Sequence, residues 1–194
     1  MAWDTEGTRR RILAAALDEF AAVGPAGTTI ERIAQRSGVN KERIYNYFGG
    51  KQDLFRRVLH DELAAVAEAV PLKLHGGDDI GGYAGKLYDY HQAHPALIRL
   101  LHWEGLAFDG SIADELRRSE HYAAKTRALR AAQADGLVSH ALDADHLAFL
   151  ILAIVTWWSA VPQVAHMLTG PDDQPEQERR RRSVIEAVRR IAAP

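Results

Sequence analysis

Residues 28–48 read TTIERIAQRSGVNKERIYNYF and predict two short helices joined by a tight turn. Thr28 is expected to cap the first helix, because Glu31 three residues later completes a capping box. Gly38 stands where the chain must turn, since glycine adopts the conformation that follows a helix end without steric cost. Asn40 is expected to cap the second helix. Helices joined in this way form a helix-turn-helix, which places its second helix in the major groove of DNA.

The rest of the chain predicts further helices. Apolar residues recur at helical spacing in segments separated by glycine or proline, namely 4–23, 51–70, 83–94, 95–108, 111–135 and 144–168, and Pro175 opens a last helix whose apolar face ends with Val184, Ile185, Val188 and Ile191. Residues 72–82 are expected to form a loop, and no segment shows the alternation of a half-buried strand. The predicted fold class is therefore all-α with about nine helices. A three-helix helix-turn-helix head would occupy residues 1–50, and a larger body residues 51–194.

Several helix boundaries are marked by capping residues or by proline. Asp4 or Thr5 is expected to cap the first helix. Ser111 with Asp114 resembles a later helix start. Pro162 should bend the most hydrophobic helix, because proline removes a backbone donor and clashes with the preceding turn.

Composition and charge narrow the class of protein. The chain of 194 residues is 47% hydrophobic, which permits a packed core, and it has no cysteine for disulfides or thiolate zinc sites. No signal pattern is visible at the N-terminus, and polar residues interrupt the longest apolar run, 147–168. That run predicts a buried helix rather than a membrane span, and we expect a cytoplasmic protein.

The net charge of −2 hides an asymmetry between the two ends of the chain. Residues 1–57 carry +3, and residues 58–194 carry −5. Such imbalances are common, which is one interpretation. The other is a DNA-facing head, with its basic groups near the phosphates, on an acidic body.

The first third of the chain carries a specific series of spaced residues: Thr8-Arg9, Ile12-Leu13, Ala15-Ala16, Phe20, Gly24, Thr28-Thr29, Ile33-Ala34, Gly38-Val39, Tyr45, Tyr47-Phe48, Lys51 and Leu54-Phe55. This series resembles the TetR-like (tetracycline-repressor-like) one-component transcriptional regulators. The remainder of the chain resembles them only in its outline of helices. The resemblance implies a C-terminal body that binds a small effector and forms a homodimer.

The resemblance also implies a set of DNA contacts, made by Thr28, Thr29, Asn40, Lys41, Arg43, Tyr45, Asn46, Tyr47 and Lys51. Thr28 and Thr29 would reach phosphates at a helix start, which also suits capping. Tyr45 and Lys51 would contact the DNA backbone, although Tyr45 could instead belong partly to the core. Tyr47 would contact a phosphate or a thymine methyl group.

Base contacts are expected from Lys41, Arg43 and Asn46. Lys and Arg donate to guanine O6 and N7, and Asn pairs bidentately with adenine. Glu42 and Arg43 depart from the family, which commonly has glycine or another small residue there. The operator sequence therefore does not carry over from relatives.

The body contains many aromatic residues and histidines, which suit either a plain core or a mostly apolar cavity with a few polar groups. The candidate lining residues of an effector pocket are Tyr88, His91, Trp103, Tyr122 and Trp157. Trp157 and Trp158 point about 100° apart on a helix, so one is expected to face the pocket and the other a dimer seam.

No enzyme, cofactor or metal site is predicted. His91 and His94 have a metal-binding spacing but lack a third ligand at a fixed distance in sequence, and no catalytic motif occurs. The run Arg179–Arg182 is expected to be solvated or to pair with acidic residues of its own helix or across a dimer.

Three hypotheses of function follow. The first is a repressor released from a near-palindromic operator by a small, largely apolar effector. The second is an effector-free architectural or partner-regulated DNA-binding protein, which a solidly filled body would favour. The third is an enzyme or carrier that happens to contain a helix-turn-helix. The expected partners under the first are double-stranded DNA, an effector and a second copy of the chain, and no membrane.

Overall fold

The computed structural model describes residues 5–74, 79–107 and 115–194. Those residues form ten helices and no strand, so the predicted all-α class is confirmed. The helices are α1 (Thr5–Gly27), α2 (Ile30–Ser37), α3 (Lys41–Phe48), α4 (Lys51–Ala69), α5 (Ile80–Ala93), α6 (Pro95–Ala107), α7 (Glu115–Ala134), α8 (Ala144–Ala160), α9 (Pro162–Thr169) and α10 (Gln174–Ala192).

The described residues divide into two compact units. The first takes in the described parts of 1–65 and 96–114, and the second those of 66–95 and 115–194. Helix α2 packs against α1 and α3 within the first unit. In the second unit α5 packs along α10, and α8 contacts α5, α7 and α10.

The first unit has an apolar core built from α1 to α4. The apolar stripe of α1 predicted from sequence is buried at Ile12, Ala16 and Phe20. The Phe20 ring meets Phe55 of α4 edge to face, with ring centroids 5.2 Å apart. Ile44 is the buried residue of α3, so this helix is held to the core by a narrow face.

Helix α1 is kinked at Gly24, where the sequence predicts the end of the helix. Gly24 has φ 72° and ψ 173°, and one further turn containing Pro25 continues to Gly27. The Trp103 ring of α6 lies against this glycine, so that a Cβ added there would stand 2.6 Å from Trp103 Cδ2. The kink is therefore fixed both by backbone conformation and by a packed aromatic ring.

The most hydrophobic segment is two helices rather than one bent helix. The break falls at Val161, directly before Pro162, and α8 and α9 are bent by 83°. This separation gives ten helices over the described ranges where nine are predicted, because proline at a helix start cannot continue the hydrogen bonding of the helix before it. Among the described residues no single helix has the length and apolar character to cross a membrane; the bent pair has them only when its two helices are taken together.

The interpretation of 147–168 as a buried helix is only partly right. Leu147, Ile151 and Val155 are buried in the second unit. Several large apolar side chains of α8 and α9 are exposed, namely Phe149, Leu150, Trp157, Val164, Met167 and Leu168. One face of this helix pair therefore packs against its own unit, and another is open.

Two other predicted boundaries differ from the structure. Helix α5 begins at Ile80, three residues before the predicted start, because the Asp79 side chain accepts the backbone N–H of Gly82 and caps the helix there. The expected caps at Asp4 and Ser111 with Asp114, and the expected helix end at Phe108, lie outside the described residues.

Candidate nucleic-acid interface

The turn between α2 and α3 is built as the sequence predicts. Gly38 adopts the left-handed conformation, with φ 66° and ψ 25°, and its N–H bonds to the Ala34 carbonyl. The Asn40 side chain accepts the N–H of Arg43 at 3.0 Å and so caps α3. Both helices have eight residues, which is too short for stability in isolation, so these caps and the core contacts hold them.

The predicted cap of α2 is wrong by one residue. Thr29 is the N-cap, and its hydroxyl accepts the N–H of Arg32 at 3.3 Å. Thr28 is buried and donates its hydroxyl hydrogen to Glu19 Oε2 at 2.9 Å. Because Thr28 is occupied in this way, the capping box with Glu31 does not form.

Glu19 joins α1 to α2 through one buried carboxylate. Besides Thr28, it accepts the Arg32 Nε–H at 2.9 Å and has Arg36 at 3.8 Å. The Arg32 hydrogen bond lowers the pKa of Glu19 below its ordinary 4.5, and this outweighs burial, which raises it. The carboxylate therefore stays ionised and fixes the start of α2, which leads directly to α3.

Replacing Glu19 by Gln should reduce the free energy of unfolding by about 1–3 kcal/mol at pH 7, because a charged hydrogen-bond acceptor is lost. A group with a lowered pKa contributes fully above its unfolded value and loses that contribution as pH falls through the folded value. The difference between wild type and variant should therefore shrink below the ordinary pKa of 4.5. Urea denaturation at a series of pH values measures it.

Asp18→Asn is the matched control. The neighbouring Asp18 pairs with Arg36 at 2.7 Å, but both side chains are more than half exposed. Exposed pairs contribute about 0–1 kcal/mol, so this variant should change stability little. A loss as large as that of Glu19→Gln would contradict the role assigned to the buried carboxylate.

The outer face of α3 is polar and open. Lys41, Glu42, Tyr45 and Asn46 are exposed, and Arg43 and Tyr47 are partly exposed. Tyr45 has 48% of its surface exposed, which favours a surface role over the core. The structure therefore presents the predicted base-contact and backbone-contact residues of α3 on one short, exposed helix.

Two contacts hold the segments before and after the helix-turn-helix. The Arg9 guanidinium of α1 lies 5.8 Å from the ring centroids of Tyr47 and Phe48, a cation–π arrangement at the end of the helix. Lys51, at the start of α4, donates from Nζ to the Thr28 carbonyl at 2.9 Å. Lys51 thus braces the beginning of α2, a role that the sequence did not suggest.

The second unit contains an apolar cavity of about 400 Å³. Its lining combines aliphatic, aromatic and a few polar side chains: Leu72, Tyr83, Tyr122, Lys125, Thr126, Leu129, Asp145, Ala148, Phe149, Ile151 and Leu152. Of the five predicted pocket residues, Tyr122 lines this cavity. A volume in the range typical of small-molecule sites makes the cavity a candidate ligand site.

The other four predicted pocket residues lie elsewhere. Tyr88 and His91 are buried on α5, and Trp103 belongs to the first unit, against Gly24. Trp157 has 61% of its surface exposed. Trp158 is partly buried, with the Arg180 guanidinium 5.4 Å from its ring centroid.

Tyr88 and His91 bring unpaired polar atoms into the second unit. The Tyr88 hydroxyl and His91 Nδ1 have no hydrogen-bond partner among the described residues. Burial, with a smaller effect of the Lys125 charge, lowers the pKa of His91 to about 4, so this imidazole is neutral at pH 7.

Sequence reasoning missed Glu19, Arg9 and Lys125. Glu19 lies seven residues after Ile12 and four after Ala15, on the apolar stripe of α1, and an acid in such a stripe signals a buried partner. Lys125 follows Tyr122 by three residues and precedes Leu129 by four, which places all three on one face of α7. Arg9 leaves no comparable signal, since its ring partners come from another helix.

Comparisons with known proteins agree with this architecture. The family model of bacterial regulatory proteins of the tetR family matches residues 12–58, and that of the tetracyclin repressor-like C-terminal domain matches residues 79–190. The HTH-type transcriptional repressor SCO4008 of Streptomyces coelicolor is 42% identical over 97% of this chain and 96% of its own length. The transcriptional regulator RutR of Escherichia coli is 27% identical over 93% of this chain and 90% of its own.

A solved structure supports the same conclusion. The crystal structure of SCO4942 from Streptomyces coelicolor has a TM-score of 0.83 and 35% identity, and the match covers 95% of this chain and 98% of that one. The resemblance predicted from the N-terminal residues is confirmed, and the body matches a C-terminal family model as well. The chain belongs to the TetR family of helix-turn-helix transcriptional regulators.

Proposed function

We propose that this protein is a cytoplasmic, ligand-responsive repressor that binds a near-palindromic DNA operator as a homodimer. Residues 1–50 would form the DNA-binding head, and residues 51–194 the effector-binding and dimerisation body. The observation that carries the proposal is the exposed polar face of α3, held by Asn40 and Gly38 in a helix-turn-helix. The 42% identity to a protein named as a transcriptional repressor supports repression rather than activation.

In this proposal the DNA contacts divide by chemistry. Lys41, Arg43 and Asn46 read base edges in the major groove. Thr29 and Lys51 bind phosphates, the first beside the α2 N-terminus and the second at the start of α4. Thr28 would act through its position, because its hydroxyl is committed to Glu19.

The second copy of the chain would cover the open face of α8 and α9. Exposed Phe149, Trp157, Met167 and Leu168 supply the apolar surface that such a contact requires. A two-fold dimer would present two α3 helices to successive major grooves about 34–36 Å apart, which calls for a near-palindromic site. The arginine run of α10 divides: Arg180 is buried with Glu176, whereas Arg182 is exposed.

The cavity separates the leading hypothesis from the alternatives. A solidly filled body would favour an effector-free DNA-binding protein, and a cavity of about 400 Å³ favours a ligand instead. Membership in a family of regulators favours DNA binding over catalysis. An effector acts by binding more tightly to protomers whose heads are unsuited to the operator, so DNA and effector must weaken each other's binding equally.

A footprint upstream of the protein's own coding region tests the proposal. We expect protection of two half-sites related by two-fold symmetry, lost on addition of an effector. Protection that no ligand alters would contradict ligand-responsive repression. Failure to bind this or any other duplex at moderate salt would contradict DNA binding itself.

Replacing Asn46 by Ala should weaken binding at one base pair of each half-site by about 1–3 kcal/mol and relax the preference there. Asn46 is exposed on α3, so the variant is expected to fold as the wild type does. Fluorescence anisotropy against the operator and a scrambled duplex gives the specificity ratio. Equal losses on both duplexes would contradict base reading by Asn46.

Lys51→Met is the contrasting variant. It should weaken binding to the operator and to the scrambled duplex alike and reduce the magnitude of the slope of log K against log salt concentration by about 2, one contact being lost from each protomer of the dimer. Because Lys51 also donates to the Thr28 carbonyl, its melting temperature is measured alongside. An unchanged salt slope would leave Lys51 with only the bracing role.

A further inference from the structure

Lys125 is a cation in an apolar cavity. It lines the cavity from α7 together with Tyr122 and Leu129, with Phe149 and Leu152 of α8 also in the wall. The side chain is partly buried, and burial lowers the pKa of its ammonium group. An ammonium group in such surroundings is stabilised when an anion binds beside it.

The described residues supply no anionic partner for this cation. No carboxylate of the described residues forms an ion pair or hydrogen bond with Lys125. Two titratable groups that sense its charge are His91 and His121, and in both the Lys125 charge adds to burial in lowering the pKa. Both of these groups are histidines, and a negative charge beside the Lys125 ammonium group would therefore be favoured.

Asp145 is the other charged residue of the cavity wall, and it belongs to the surface. Its side chain is exposed, and Oδ1 accepts the backbone N–H of His146 at 3.1 Å. Solvent screens an exposed carboxylate more strongly than a partly buried ammonium. Of the two charged side chains in the wall, the partly buried one is therefore positive and the exposed one is negative.

We propose that the cavity binds a small amphiphilic organic anion, whose carboxylate-type head lies on Lys125 and whose apolar body packs against Leu129, Ile151 and Leu152. The inference rests on the proposed function, because this ligand would be the effector. It narrows the chemical class of the effector from a largely apolar molecule to an apolar molecule with one negative charge. Tyr83, Tyr122 and Thr126 place hydroxyl groups in the same wall, where they could orient the head.

Isothermal titration of the full-length protein without DNA tests the charge preference. The probes are decanoate, 1-decanol and decylammonium, which share a chain and differ in the head. We expect one site per protomer and a Kd for decanoate at least about tenfold below that for 1-decanol, because a partly buried charge pair is screened less than one in water. Decylammonium should bind most weakly.

Three variants isolate the head contact. Lys125→Met keeps the length of the side chain and should erase the preference for decanoate while 1-decanol binding stays within about twofold, since the apolar wall is unchanged. Lys125→Arg should retain the preference, and Asp145→Asn should leave it in place. Binding of 1-decanol by Lys125→Met shows that the cavity is still formed.

Several results would overturn the inference. The first is that the wild type binds 1-decanol as tightly as decanoate or more tightly, and the second is that the preference for decanoate survives in Lys125→Met. The third is that decylammonium binds most tightly and that Asp145→Asn loses this binding. The fourth is that no probe binds. DNA binding is measured separately on the same samples. If decanoate binds but operator affinity is unchanged, the anion site is supported and ligand-responsive repression is overturned. If other ligands release the operator and decanoate does not bind, ligand-responsive repression is supported and the anion site is overturned.

Discussion

Gly24→Ala is expected to lower the free energy of unfolding by about 2–6 kcal/mol, from two causes at one atom. The backbone of Gly24, with φ 72° and ψ 173°, lies in a region that is essentially restricted to glycine, and a side chain there costs about 1–3 kcal/mol. The new methyl group would also stand 2.6 Å from Trp103 Cδ2 and 2.7 Å from Cε3. Overpacking of this kind costs about 1–3 kcal/mol. Urea denaturation followed by circular dichroism measures the loss.

Gly38→Ala is the control for a methyl group that is added at a positive φ without a clash. Gly38 has nearly the same φ, 66°, but an added Cβ meets nothing within 4 Å. This variant should therefore lose only the conformational part, about 1–2 kcal/mol. Trp103→Leu combined with Gly24→Ala should recover part of the Gly24→Ala loss, because the smaller side chain makes room. Equal losses for the two glycine variants would show that the Trp103 ring does not constrain the kink.

Arg180→Met is expected to reduce the free energy of unfolding by about 3 kcal/mol. Arg180 is buried and donates to Glu176 at 3.0 Å, Asp172 at 2.8 Å and the Thr169 hydroxyl at 2.7 Å. Removing one partner of a buried ion pair leaves an uncompensated charge, here on buried Glu176, which costs about 3–5 kcal/mol. Arg179, which keeps its own bond to Glu176, places the expected loss at the lower end.

Arg179→Met is the control for that variant. Arg179 also pairs with Glu176, at 2.9 Å, but its side chain is 63% exposed. The loss should stay below about 1 kcal/mol, as for other exposed pairs. Thermal and urea denaturation of both variants at one protein concentration decide the matter. If both variants lost a similar free energy of unfolding, the buried Arg180 would contribute no more to stability than an exposed ion pair does.

Local signals predicted the elements of this fold well. Gly38, Asn40 and Pro95 lie at the helix boundaries where caps and proline placed them. The error at Thr28 arose because its partner, Glu19, lies in the preceding helix, and a capping pattern considers only nearby residues. For Arg180, helical spacing predicted the bond to Glu176 but not the burial, because Thr169 and Asp172 come from residues before α10.

The candidate ligand site was less accessible to sequence reasoning. A list of aromatic residues gives the right chemistry but not the direction in which each side chain points. Tyr122 lies in the cavity wall, whereas Trp103 packs on Gly24 in the other unit. Lys125 was overlooked because an isolated lysine on a polar helix is ordinarily solvated. Whether Lys125 is solvated or lines a cavity depends on the packing of the neighbouring helices, which the sequence alone does not show.

The way α3 is attached has a consequence for the evolution of this regulator. Ile44 is the side chain of α3 that is fully buried, and the caps on either side belong to Asn40 and Gly49. Substitutions at exposed positions 41, 42, 45 and 46 leave that attachment intact, so they are nearly neutral for folding. The target sequence can therefore diverge between descendants of one gene without a loss of stability that selection would first have to repair.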